Sequence, residues 1–113
     1  MAMGCYTVAV VTAAVVLVSA HSALAASDIV AKGRELLQAN CARCHAIGAD
    51  DQSPHKEAPP FRVVVTRYRA DNLAEALAEG LVSGHPDMPE FVFEPDDVGA
   101  ITAYLDSLKP QSK

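Results

Sequence analysis

The sequence predicts an all-α protein, and three observations lead there. Apolar residues recur at helical spacing in three separate stretches. The one run of β-branched residues, Val63-Val64-Val65, has no second strand pattern to pair with. The remaining segments are long and rich in turn formers, which is hard to justify in a short chain unless they wrap something.

The N-terminus bears on location. No charged side chain precedes Asp28, and Val8 to Ala20 is apolar apart from Thr12 and Ser19. Ala23-Leu24-Ala25 then gives a small-x-small pattern ahead of a polar region. This is the layout of a secretory signal peptide, residues 1–25, cleaved after Ala25. The stretch before the apolar core lacks the usual Lys or Arg. The alternative is an uncleaved anchor. The apolar core of about 13 residues is short of the roughly 20 a spanning helix needs, though the whole uncharged stretch is longer. Cys5 lies in the removable part and is assigned no role.

Residues 26–113 are then one domain with a modest core. Its aromatics are Phe61, Tyr68, Phe91, Phe93 and Tyr104. Chains this small gain stability from disulfides, a metal or a bound cofactor. The 9 basic and 14 acidic residues give a net charge of −5. That argues against nucleic acid, whose phosphates call for Lys and Arg. It suits a protein that meets a basic partner.

The first helix is expected from Ser27 to about Ala39. Ser27 or Asp28 would cap it, and Ile29, Val30, Gly33, Leu36 and Leu37 share one broad face. A turn-rich loop, Ala46 to Pro60, follows. Phe61 to Arg69 is read as a short helix. The next helix is expected over about Leu73 to Glu79, with Asn72 and Glu75 as a capping box and Gly80 as a left-handed stop. The last runs from Pro95 to Leu108. Pro95 suits its first position, and Asp96 and Asp97 favour the positive end of the dipole. Val98, Ile101, Leu105 and Leu108 form its apolar stripe.

The chemistry concentrates in Cys41-Ala42-Arg43-Cys44-His45. A Cys41–Cys44 disulfide closes so small a loop that it would stabilise little. A thioredoxin-like site needs a strand before the motif, and here a helix leads in. Zinc would need a fourth ligand, His55 or His85, because no second Cys pair exists. The favoured reading is covalent haem. The two-residue gap lets one helical turn present both thiols to the two porphyrin vinyl groups, with the His45 imidazole aimed at the iron.

A second axial ligand is offered by Gly84 to Phe91. Met88 stands there with Pro86 and Pro89 close on either side, poorly placed for ordinary helix-face packing. His45 with Met88 would give the pairing that raises the reduction potential and suits electron transfer. The alternatives are Met88 as a gap-filling core residue and His85 as the ligand. His55, between Pro54 and Lys56, reads as solvated.

On these residues the chain resembles the class I, mitochondrial-type cytochrome c family, in its short bacterial periplasmic form. The resemblance covers about Ile29 to Leu108. Gly33, Leu37 and the Cys41–His45 motif match the spacing of the family's N-terminal helix, with Leu37 where an aromatic is usual. Ala58-Pro59-Pro60-Phe61 resembles the family's Gly-Pro-x-Leu segment. That likeness implies that the Pro59 carbonyl accepts a hydrogen bond from the ligand imidazole. Met88-Pro89 falls at the family's Met-ligand position. Ile101 to Leu105 resembles its C-terminal helix, which implies that Tyr104 and Leu105 cross the first helix near Gly33.

The resemblance implies helices and loops wrapped around one haem c per chain, attached through Cys41 and Cys44 and ligated by His45 and Met88. Phe61, Leu73, Leu77, Phe91 and Phe93 would keep water off the iron. The chain without haem is expected to be largely unfolded. The function expected is a single-electron carrier in the periplasm, not an enzyme, monomeric and serving redox protein partners. Asp87, Glu90, Glu94, Asp96 and Asp97 either steer a basic docking face or are simply solvated. Arg62, Arg67 and Arg69 either pair with haem propionates or face water. Two other functions stay open. One is a fixed haem subunit of an oxidoreductase complex. The other is a haem sensor or peroxidatic protein, should Met88 not be bound.

Overall fold

The computed structural model describes residues 5–80 and 85–110, with side chains from Ser22 onward. Four helices lie among the described residues: α1 (Cys5–Asn40), α2 (Phe61–Arg67), α3 (Ala70–Glu79) and α4 (Pro95–Ser107). No strand occurs among the described residues. The all-α expectation holds, and Val63 to Val65 are helical.

α1 is longer than its apolar pattern predicts. No Gly or Pro stands between Cys5 and Lys32 to stop it, and the stretch is rich in Ala, Val and Leu. Ser27 is therefore not an N-cap. Its hydroxyl donates back to the Leu24 carbonyl at 2.8 Å, a bond made within a helix. The helix passes through Ala25 unbroken. α3 also starts early, at Ala70, and the Asn72–Glu75 capping box does not form. Asp71 in its first turn complements the helix dipole, so the extra turn forms without a capping side chain. Gly80 ends it at φ +94°, a conformation that favours glycine. α4 follows its expected pattern, with Pro95 at its start and Asp96 and Asp97 in its first turn.

The core is the crossing of α1 and α4. Leu37 is 1% exposed and Ile101 is 0% exposed. They pack with Ile47, Val65, Tyr104 and Leu105. Gly33 makes the crossing close. A side chain there would run into the Ala100 carbonyl oxygen and would lie 2.9 Å from Cβ of Tyr104. The Lys32 ammonium joins the Asp97 carboxylate at 2.6 Å across the same pair of helices. That hydrogen bond holds Lys32 above its ordinary pKa.

Tyr104 also anchors the first loop. Its hydroxyl donates to the Ile47 carbonyl at 2.8 Å in a buried position. The loop is further held by Phe61 N–H to the Ala46 carbonyl at 2.9 Å, and by Ala46 N–H to the Ser53 hydroxyl at 3.0 Å. These bonds fix the start and end of the segment that carries the site.

Candidate functional site

α1 delivers the site from its C-terminal end. Leu37 is locked in the core and its carbonyl accepts from both Cys41 N–H (2.8 Å) and Ala42 N–H (3.0 Å). The Cys41 carbonyl then accepts from Cys44 N–H at 3.1 Å and from His45 N–H at 2.9 Å. The motif is thus one compact turn, with both cysteines and the imidazole on adjoining positions. Both thiols are free and half-buried. Burial pushes the Cys41 thiol up to about 11, and the neighbouring Cys44 adds to the rise. At neutral pH Cys41 is therefore a thiol, and not the thiolate from which disulfide exchange starts.

The Nδ1 of His45 lies 2.7 Å from the Pro59 carbonyl oxygen. A carbonyl only accepts, so this nitrogen carries the proton and donates. In the neutral ring Nε2 then holds the lone pair that binds a metal. Two prolines stand side by side here and do different jobs. The Pro60 carbonyl accepts from Val63 and Val64 N–H (2.9 and 3.1 Å) and opens α2, while the Pro59 carbonyl turns to His45. The Phe61 ring lies 5.0 Å from the imidazole, tilted by 31°.

Met88 is half-buried in a turn closed by its own N–H to the His85 carbonyl at 3.2 Å. Gly84 lies outside the described residues. The loop leaving Met88 is tied to α3 by Phe93 N–H to the Leu77 carbonyl at 2.9 Å. Phe91 and Phe93 stack at 5.9 Å. Phe61, Leu73, Leu77 and Phe93 pack against the core yet stay only half-buried. The residues present fit a haem: two thiols and an imidazole on one turn, a thioether on a separate loop, and half-covered apolar side chains.

Zinc fits poorly. Among the described residues no three His, Cys, Asp or Glu side chains converge to hold a metal ion.

The cytochrome c family model matches residues 30–109. The chain belongs to the cytochrome c family. A cytochrome c-552 of Bradyrhizobium diazoefficiens (strain USDA 110) is 36% identical over 92 residues, covering 81% of this chain and 85% of the relative. No solved structure matches the chain with significance. Family membership makes this a class I cytochrome c, with covalently bound haem c and a role in electron transfer among redox partners. Cys41 and Cys44 stand three positions apart, as attachment of haem c requires. Among the described residues no helix is long and apolar enough to cross a membrane. The side chains of Val8 to Ala20 lie outside them.

Several surface residues have partners within the fold. Arg62 donates to the Asp51 carbonyl at 2.6 Å, and Arg69 pairs with Asp71 at 3.4 Å. His55 is not simply solvated: its Nε2 lies 3.7 Å from the Asp87 carboxylate. In the acidic run, Asp87 and Asp97 thus have partners within the fold. The sequence names no partner for Tyr104, Ser53 or His55, which meet Ile47, Ala46 and Asp87. For Tyr104 a signal existed, a single hydroxyl on an otherwise aliphatic stripe, where a buried phenol needs a partner.

Proposed function

We propose that the chain is a mobile single-electron carrier whose haem iron is ligated by His45 and Met88. The observation that carries this is the 2.7 Å hydrogen bond from His45 Nδ1 to the Pro59 carbonyl. It orients the ring and raises the basicity of Nε2, which would face the iron. When bound, the haem supplies a one-electron ferric/ferrous couple. Cys41 and Cys44 would hold the haem covalently through their sulfurs. Met88 would hold the iron with a soft thioether, which favours the ferrous state and would leave no coordination position for a substrate. Phe61, Leu73, Leu77 and Phe93 exclude water and lower the local dielectric, with the same effect on the couple.

Residues 1–25 act as a signal peptide in this reading, and residues 26–113 work as a monomer outside the cytoplasm. Its partners are redox proteins with a basic docking face, suited to the net charge of −5. Brief encounters of this kind need only a small interface.

A spectroelectrochemical titration of the exported protein tests the assignment. Wild type should give one reversible one-electron transition. Met88→Ala should lower the potential and let carbon monoxide bind the ferrous form. A Met88→Ala protein that keeps the wild-type potential and refuses carbon monoxide would remove Met88 from the iron.

A further inference from the structure

His55 joins the two halves of the site. Its backbone N–H donates to the Cys44 carbonyl at 3.2 Å, one residue before His45. Its own carbonyl accepts from Ala58 N–H at 3.1 Å. Its Nδ1 accepts from Glu57 N–H at 3.3 Å, which leaves the proton of the neutral ring on Nε2. That Nε2 faces the Asp87 carboxylate at 3.7 Å, one residue before Met88. The imidazole is therefore oriented from the His45 side and reaches the Met88 side.

We propose that His55, through Asp87, is a positioning residue that holds the Met88 loop toward the His45 segment. The inference rests on Met88 being the second iron ligand. The α3 side of the loop has its own fastening. Phe93 N–H binds the Leu77 carbonyl, and the Glu90 carboxylate lies against Gly80. On the opposite side the His55 Nε2 and the Asp87 carboxylate attract electrostatically at 3.7 Å, a longer and weaker contact than a hydrogen bond. Asp87 therefore acts within the molecule, and not only as part of an acidic docking face. The side chains are 36% and 73% exposed, so the effect is modest.

The readout is the affinity of imidazole for the ferric, haem-loaded protein, because imidazole must displace Met88. Freeing the loop should raise that affinity about 2- to 5-fold in His55→Ala and in Asp87→Ala, the range an exposed pair supports. The double variant should show no further rise, because both changes break one contact. Lys32→Ala breaks the α1–α4 pair and should leave it unchanged while lowering the melting temperature. If wild type lacks the far-red Met-to-ferric-iron band, the ligand assignment fails and the inference falls with it. If the band is present and the single variants bind imidazole like wild type, or their effects add in the double variant, the inference alone is overturned.

Discussion

Substituting Gly33 by Ala perturbs the α1–α4 crossing at its tightest point. The new Cβ would run into the Ala100 carbonyl oxygen, with that carbonyl's carbon at 2.6 Å and Tyr104 Cβ at 2.9 Å. Carbon atoms rest about 3.5–4.0 Å apart, so the helices must part by roughly 1 Å. The obstacle is backbone, and no rotamer change relieves it. Parting loosens Leu37 and Ile101, the two best-buried side chains. Overpacking costs about 1–3 kcal/mol. Ala in place of Gly returns about 1 kcal/mol of helix propensity. A net loss of up to about 2 kcal/mol remains, which lowers the melting temperature by up to about 15 °C in a domain of this size. Gly99→Ala is the control, because nothing lies within 4 Å of a Cβ built there. It keeps the propensity gain and should raise the melting temperature by about 4–8 °C. Thermal unfolding of the haem-loaded proteins, followed by circular dichroism, reads both. A Gly33→Ala protein that is as stable as Gly99→Ala would refute the close crossing.

Tyr104→Phe should destabilise by about 1–3 kcal/mol in denaturant unfolding, because the buried Ile47 carbonyl loses its donor. Gly80→Ala should cost more than about 1 kcal/mol, since φ is +94° there and the Glu90 side chain must move. Asp97 raises the pKa of Lys32, so this pair's contribution is fully present below 10.5, the ordinary value, and is lost as pH rises through the higher folded value. The melting-temperature gap between wild type and Lys32→Met should therefore be constant at neutral pH and shrink above pH 10.5.

Local rules made parts of this molecule legible. α4 is written in full: Pro95, Asp96 and Asp97 mark its start, and Val98, Ile101 and Leu105 its buried face. The turn of Cys41, Cys44 and His45 is also legible, because its chemistry depends on neighbours in the chain. Helix starts were less so. Both Ser27 and Asn72 look like caps, but each lies inside a helix whose preceding residues are good enough helix formers to extend it. Long-range pairs were hidden. Tyr104 meets Ile47 57 positions away, and nothing near either residue announces the other. The same holds for His55 and Asp87, which only the fold brings together. The Pro59 carbonyl was legible through the family likeness, and the reason it differs from Pro60 appears only in the structure, where Pro60 opens α2.

The central claim is a site closed by His45 and Met88, and an absorption spectrum of the exported, haem-loaded protein tests it most directly. The spectrum is taken oxidised and reduced, with and without carbon monoxide. A weak far-red band in the ferric protein, together with a ferrous spectrum that carbon monoxide leaves unchanged, is the predicted result. No such band, and ready binding of carbon monoxide, would contradict the closed site and move the protein from carrying electrons toward binding ligands.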